Sequence, residues 1–161
     1  MRKILIFIIL FSFCIGSQLV ASPAEDLLKI IDFSTSMKTL DIILERGQID
    51  SFTKEMYLIL DGTVASRELL SKDGEQFLGE IELVQGEWSG LEEVKIYRCI
   101  VIFSGDQFSG LIPARRARRR SENEIKLNSH VLLIGKLQGT RTLTDGSTVP
   151  VIEGFLIREM L

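Results

Sequence analysis

Apolar and polar residues alternate through most of the chain beyond residue 55, as they do in β-strands with one buried face. The clearest case is the run of residues 76–86, where Phe77, Ile81 and Leu83 share one side and Glu80 and Glu82 share the other. Five such runs, rich in β-branched and aromatic residues, cover residues 55–69, 76–86, 94–104, 130–143 and 147–158. Five strands separated by glycine-containing turns predict an all-β barrel or sandwich.

A helical pattern precedes the strands. Between residues 23 and 46, apolar residues recur at spacings of three and four, which predicts amphipathic helix. Ser22 before Pro23 is a suitable start, Ser34 or Ser36 offers a second start, and Gly47 is a suitable end. We therefore expect two short helices, or one broken helix, with apolar faces that pack on the strand domain.

The order of the strands indicates a particular kind of barrel. Three strands come first, then a long connection, then a hairpin whose turn contains Asp145-Gly146, a strong hairpin signal. The stretches LILDGTVASREL, HVLLIGKLQG and VIEGFLIREM resemble the first and the last two strands of an OB-fold. The resemblance implies a mainly β protein: a small five-stranded OB-like Greek-key barrel over residues 50–161, preceded by a short helical segment over residues 22–49. A small sandwich or another β-barrel would give a similar pattern.

The first 21 residues have the three parts of a secretory signal peptide. Arg2 and Lys3 supply positive charge, residues 4–15 are almost all apolar, and Ala21 ends the segment with a small side chain. This apolar run is short of the roughly 20 residues that a membrane-spanning helix needs. We therefore expect a periplasmic or secreted protein cleaved near Ala21-Ser22, with an uncleaved signal as the alternative.

The two cysteines lie in different parts of the chain. Cys14, inside the apolar run, offers an alternative lipidated N-terminus, although it follows Phe13 rather than the small residue that normally precedes a lipidated cysteine. Cys99 alone would remain after cleavage near Ser22, so no intramolecular disulfide is expected. Its apolar neighbours predict a buried, inert thiol.

Five arginines fall within residues 115–120 of a chain whose net charge is −3. At about 100° per residue, a helix here would turn all five outward and leave Ala114, Ala117 and Ser121 on the opposite side. Guanidinium groups bind carboxylates and phosphates, so the block predicts an anion-binding patch; a solvated surface partly neutralised by nearby glutamates is the alternative. The patch, called the arginine block below, consists of Arg115, Arg116, Arg118, Arg119 and Arg120.

Two further residues are candidate contacts with a ligand. Trp88 lies between Gly86 and Gly90, in what the pattern predicts to be a loop joining two strands. Because aromatic residues anchor interfaces, an exposed tryptophan there would be a contact residue; a ring that closes the end of the barrel is the alternative. Arg141 lies in the connection predicted over residues 139–147, at the rim of the barrel.

Catalytic chemistry has little support in the sequence. His130 is the single histidine, and no Gly-x-Ser-x-Gly motif is present, so a hydrolase built around His130 is the weakest hypothesis. One histidine and one usable cysteine do not make a zinc site, and no calcium-binding loop occurs. We therefore expect neither an enzyme, nor a metal, nor a cofactor.

Together these observations predict an exported, non-catalytic binding or assembly module of the bacterial cell envelope. Its arginine block would contact an anionic envelope component or an acidic protein. The alternative is a structural subunit of an envelope assembly that docks through its N-terminal helices. Nucleic acid ranks below both, because export separates a protein from most nucleic acid and the strands offer few aromatic residues for stacking. Membrane association is expected only if Cys14 is lipidated or the signal is uncleaved.

Overall fold

The computed structural model describes residues 28–49, 52, 55–71, 75–90, 93–113 and 123–160. The predicted signal peptide with Cys14 and the arginine block lie outside the described residues. In the described part of the chain, residues 28–30 are helical, and they are followed by a longer α-helix, six strands and a 3-10 helix at Asp106–Phe108. In chain order the main elements are β1 (Ile31–Asp32), α1 (Met37–Glu45), β2 (Tyr57–Leu69), β3 (Leu78–Ser89), β4 (Glu93–Ser104), β5 (His130–Thr142) and β6 (Thr148–Glu159).

Strands β2 to β6 close into a barrel. The order of neighbours is β1-β2-β3-β4-β6-β5, and a second pairing of β2 with β5 completes the circle. All pairs among the five long strands are antiparallel except β4 with β6, which is parallel. This is the strand order of the OB-fold, a five-stranded Greek-key barrel, so the predicted fold is confirmed.

The alternation of residue types determines which side of each strand faces the barrel interior. On β3, Ile81 and Leu83 are fully buried, and on β4 the buried set includes Cys99 and Phe103. Burial raises the pKa of the Cys99 thiol to about 12, because the thiolate would have to form away from water. Cys99 is therefore the inert core thiol that its neighbours predict.

Helix α1 contributes side chains to the barrel core. Ser36 caps the helix, its hydroxyl accepting a hydrogen bond from the Thr39 amide, and the chain leaves the helix through Gly47 at φ 66°, a conformation that favours glycine. Met37 and Leu40 are buried among the barrel residues. The helix thus packs on the strands, and it begins at one of the two serines that the sequence offered.

Strand β1 was not predicted. Ile31 and Asp32 pair in parallel with Tyr57 and Leu58 at the start of β2. The Asp32 carboxylate then accepts hydrogen bonds from the backbone amides of the next residues and from the Thr35 hydroxyl at 2.5 Å, which turns the chain into the helix cap. A strand of two residues is too short to give a periodic signal. The predicted boundaries at residues 21/22 and 49/50 stay predictions.

Candidate functional site

The end of the β3–β4 hairpin carries an exposed apolar cluster. Trp88 pairs with Val94, and Ile96 pairs with Gly86, so the three side chains project from the same side of the hairpin. Their exposed fractions are 72% for Trp88, 44% for Val94 and 59% for Ile96. We call these three residues the hairpin patch. Gly86 lies next to Trp88 on this side of β3, and it has no side chain that could cover the tryptophan ring.

Helix α1 holds the opposite side of the hairpin. Lys38 Nζ lies 2.8 Å from the Glu87 carboxylate, and the Tyr97 hydroxyl donates to Glu87 at 2.7 Å. Lys95 Nζ pairs with Asp41 at 3.0 Å. The hydrogen bond from Lys38 lowers the pKa of Glu87 and raises that of Lys38. Since Glu87 and Lys95 face the helix, strand alternation turns their neighbour Trp88 outward.

A polar network lies next to the hairpin patch, on the side of the sheet that faces away from helix α1. Arg98, on β4, donates from Nε to Glu82 at 2.7 Å and from Nη1 to Asp145 at 2.6 Å. Arg141, on β5, donates to Glu80 at 2.6 Å. Each arginine on this surface is therefore bonded to at least one carboxylate. We call the hairpin patch together with this network the outer face.

Two buried apolar residues lie under the polar network. Ile100 and Val149 are only 3% and 4% exposed, yet they do not belong to the core cluster inside the barrel. Ile100 is paired with Glu82 and lies two positions from Arg98 on β4, so the aliphatic stems of charged side chains cover it.

The structure corrects the local setting of two predicted contact residues. Trp88 belongs to β3 and Arg141 to β5, whereas the glycines and threonines around them predicted loops. Strand β3 extends beyond its expected end because β4 continues the pairing, as in Trp88 with Val94, and Arg141 pairs with Val149 within the predicted bounds of its strand. Trp88 does not close the barrel end, since its side chain is largely exposed.

The arginine block stays a prediction, because it lies outside the described residues. The residues that sequence analysis missed are Val94, Ile96 and Arg98. Only pairing across the hairpin shows that the first two surround Trp88, since they are six and eight positions away in the chain. Arg98 was not singled out, because its acidic partners lie on another strand and in the distant β5–β6 turn.

Asp61 and Ser129 are the neighbours of His130 that bear on the hydrolase hypothesis. His130 Nε2 lies 3.5 Å from Asp61 Oδ2 at the barrel surface. The adjacent serine, Ser129, donates its hydroxyl to the Lys126 carbonyl at 2.7 Å and so serves the backbone. Within the described ranges, no three histidine, cysteine or acidic side chains come together in a way that could hold a metal ion. The same ranges contain no helix with the length and apolar character needed to cross a membrane.

Comparison with known proteins gives matches of fold. No family model matches the chain, and no curated protein matches it in sequence. The Plasmodium falciparum SSB in complex with ssDNA matches at a TM-score of 0.45 and 16% identity, over 65% of this chain and 93% of that one. A small single-stranded DNA-binding protein from Streptomyces coelicolor matches at a TM-score of 0.44 and 12% identity, over 68% and 95% of the two chains.

These matches correct the function that the sequence predicted. Both are single-stranded DNA-binding proteins, so ranking nucleic acid below every envelope partner was wrong, and no finding supports an envelope role or an envelope assembly. The ranking rested on export and on the few aromatic residues along the chain, and Trp88 was placed in a loop, whereas the structure presents it on a strand. Both matched proteins are named for binding and not for catalysis, which agrees in outline with a non-catalytic chain.

Proposed function

We propose that this protein is a non-catalytic OB-fold module that binds single-stranded nucleic acid along its outer face. The observation that carries the proposal is Trp88, whose side chain is 72% exposed on the outer side of β3. Strands β3 and β4 are the second and third strands of the barrel, and the corresponding sheet face is where OB-folds bind extended ligands. Exposing a tryptophan to water is unfavourable unless a ligand covers it.

The hairpin patch has the chemistry of a stacking platform. A tryptophan ring stacks on any nucleobase, and one such contact contributes about 1–3 kcal/mol. Val94 and Ile96 extend the apolar surface beside the ring, and Gly86 leaves space for a base to approach it. Stacking of this kind is indifferent to sequence, because every base has a π-face. We therefore expect binding to unpaired strands with little base preference.

The arginines of the outer face are placed to meet the backbone of the same strand. Arg98 pairs with Val84, four positions before Trp88 on β3, which separates the two by about 13 Å along the strand. Guanidinium groups match phosphate geometry, but here phosphate has to compete with Glu82, Glu80 and Asp145. We accordingly expect modest affinity that falls as salt concentration rises.

The test compares Trp88→Ala with a control at another exposed aromatic residue. The control is Phe155→Ala, because Phe155 is 42% exposed on β6 and its ring packs edge-on against Tyr57, away from the hairpin. The probe is a 5′-fluorescein oligothymidylate of about 16 nucleotides, the upper site size of one OB-fold, followed by fluorescence anisotropy. We expect Trp88→Ala to raise the Kd about 5- to 150-fold, and Phe155→Ala to change it less than about twofold.

Two results would contradict the proposal. One is a folded wild-type protein that does not bind the probe at an ionic strength of about 25 mM, where phosphate contacts are strongest. The other is Trp88→Ala binding as tightly as wild type, which would move the ligand away from the hairpin patch. If the wild-type protein does not bind oligothymidylate, docking of another protein is left as the explanation of the exposed hairpin patch.

We also propose, from its apolar N-terminus alone, that the chain is exported. The ligand would then be nucleic acid outside the cytoplasm. N-terminal sequencing of the protein recovered from its native cells should begin near Ser22. An intact Met1 on the main species would rule out cleavage, and a lipid-blocked Cys14 would indicate an anchored protein instead.

A further inference from the structure

Arg98 is held by two carboxylates of different character. Glu82 Oε1 accepts from Nε at 2.7 Å, and Asp145 Oδ2 accepts from Nη1 at 2.6 Å. The same Nη1 also donates to the Ser147 hydroxyl at 3.3 Å. The two acids approach from different elements, Glu82 from β3 and Asp145 from the turn between β5 and β6. The guanidinium is therefore fully engaged on the side that faces this turn.

The two carboxylates differ in how easily a ligand could replace them. The Glu82 side chain is 17% exposed and also accepts a hydrogen bond from the Ser66 hydroxyl at 3.2 Å, so the sheet fixes it in place. The Asp145 side chain is 52% exposed and sits at the edge of the outer face. Glu82 thus orients Arg98, while Asp145 occupies the position that an incoming anion would take.

We propose that Asp145 competes with ligand phosphate for Arg98, so that the β5–β6 turn sets how tightly the outer face binds nucleic acid. The inference rests on the proposed function and deepens it. A carboxylate and a phosphate offer Arg98 the same kind of acceptor oxygens. A phosphate that reaches Nη1 has to displace Asp145, and the repulsion between the two anions opposes its approach.

Asp145 is also bonded within its own turn. Asp145 Oδ1 accepts from the Ser147 amide at 2.9 Å and from the Ser147 hydroxyl at 2.5 Å, and these bonds do not involve the arginine. The bond from the Ser147 hydroxyl is the largest cause that holds the pKa of Asp145 below its ordinary value, followed by the bond from Arg98 and then by the Ser147 amide. The competitor is therefore ionised throughout the neutral range.

Asp145→Asn tests the inference because it removes the charge and keeps the turn. An asparagine side chain accepts from the backbone two residues on, as aspartate does. We expect this variant to bind the oligothymidylate probe about two- to fivefold more tightly than wild type at low salt, the gain from releasing an exposed ion pair. The matched control is Asp106→Asn, which removes one exposed acidic charge beyond the end of β4. We expect the control to change the Kd by less than about 1.5-fold.

A second pair of variants assigns the gain to Arg98. In an Arg98→Gln background, Asp145→Asn should tighten binding of the probe no more than the Asp106→Asn control does, because the cation that Asp145 masks is gone. If Asp145→Asn raised the affinity equally with and without Arg98, the inference would be overturned and a general charge effect would be indicated. Unchanged affinity in Asp145→Asn, with wild type still binding through Trp88, would overturn the inference alone. Binding by neither protein would overturn the proposed function as well.

Discussion

Phe103→Ala is expected to lower the free energy of unfolding by about 3–5 kcal/mol. Phe103 is fully buried on β4, and its ring centroid lies 5.0 Å from that of Phe108. The ring also fills the space over Gly154 on β6, where an added Cβ would lie under 3.0 Å from three ring carbons. Removing the ring therefore leaves a cavity between two paired strands, and the rigid barrel can close it only in part.

Urea denaturation followed by circular dichroism measures this loss. Gly154→Ala should also destabilise the wild-type protein, by about 1–3 kcal/mol from overpacking. In the Phe103→Ala background the same change should cost much less, because the space is then free. Leu156→Ala, at a position 41% exposed on β6, should shift stability by about 0.5 kcal/mol or less. A Phe103→Ala loss below about 1 kcal/mol would contradict the packing described here.

Arg67→Met is expected to destabilise the protein by about 3 kcal/mol, the lower end of the cost of breaking a buried ion pair. Arg67 Nη1 lies 3.0 Å from Glu124 Oε1, with side-chain exposures of 18% and 7%. It also donates to the Ile125 carbonyl and so ties β2 to the segment before β5. The second carboxylate oxygen of Glu124 is buried without a hydrogen-bond partner. Methionine would remove the cation that pairs with this buried acid.

The double variant Arg67→Met with Glu124→Leu separates charge from packing. Replacing both members of a buried pair by apolar residues is often nearly neutral, so we expect it to recover most of the loss. Thermal melting of wild type, Arg67→Met and the double variant at equal concentration and pH compares their stabilities. A double variant as unstable as Arg67→Met would show that packing of the Arg67 side chain, and not the stranded charge, causes the effect.

Much of the barrel could be predicted because the sequence features that specify it lie within single strands and turns. The alternation through Ile81 and Leu83, and the Asp145-Gly146 turn between the last strands, lie within single elements. The same holds for the burial of Cys99, whose apolar neighbours stand beside it in the chain. These features depend on strand period and turn chemistry, which a sequence carries directly.

The outer face could not be predicted, because pairing across strands creates it. Trp88 was singled out for its residue type, but its surroundings depend on the register that sets Gly86 opposite Ile96. Arg98 was missed as a site residue since its partner Asp145 lies 47 positions further along the chain. Sequence analysis instead gave most weight to the arginine block, whose charge is visible without any knowledge of the fold.

The most direct test of the central claim is the fluorescence of Trp88 itself. Trp88 is the single tryptophan of the chain, so its emission reports the hairpin patch alone. Titration of the wild-type protein with unlabelled oligothymidylate should quench this emission to a plateau as bases stack on the ring, and added salt should restore it. The midpoint should match the Kd from anisotropy. Binding by anisotropy with unchanged Trp88 emission would contradict the account, because the strand would then lie elsewhere on the barrel.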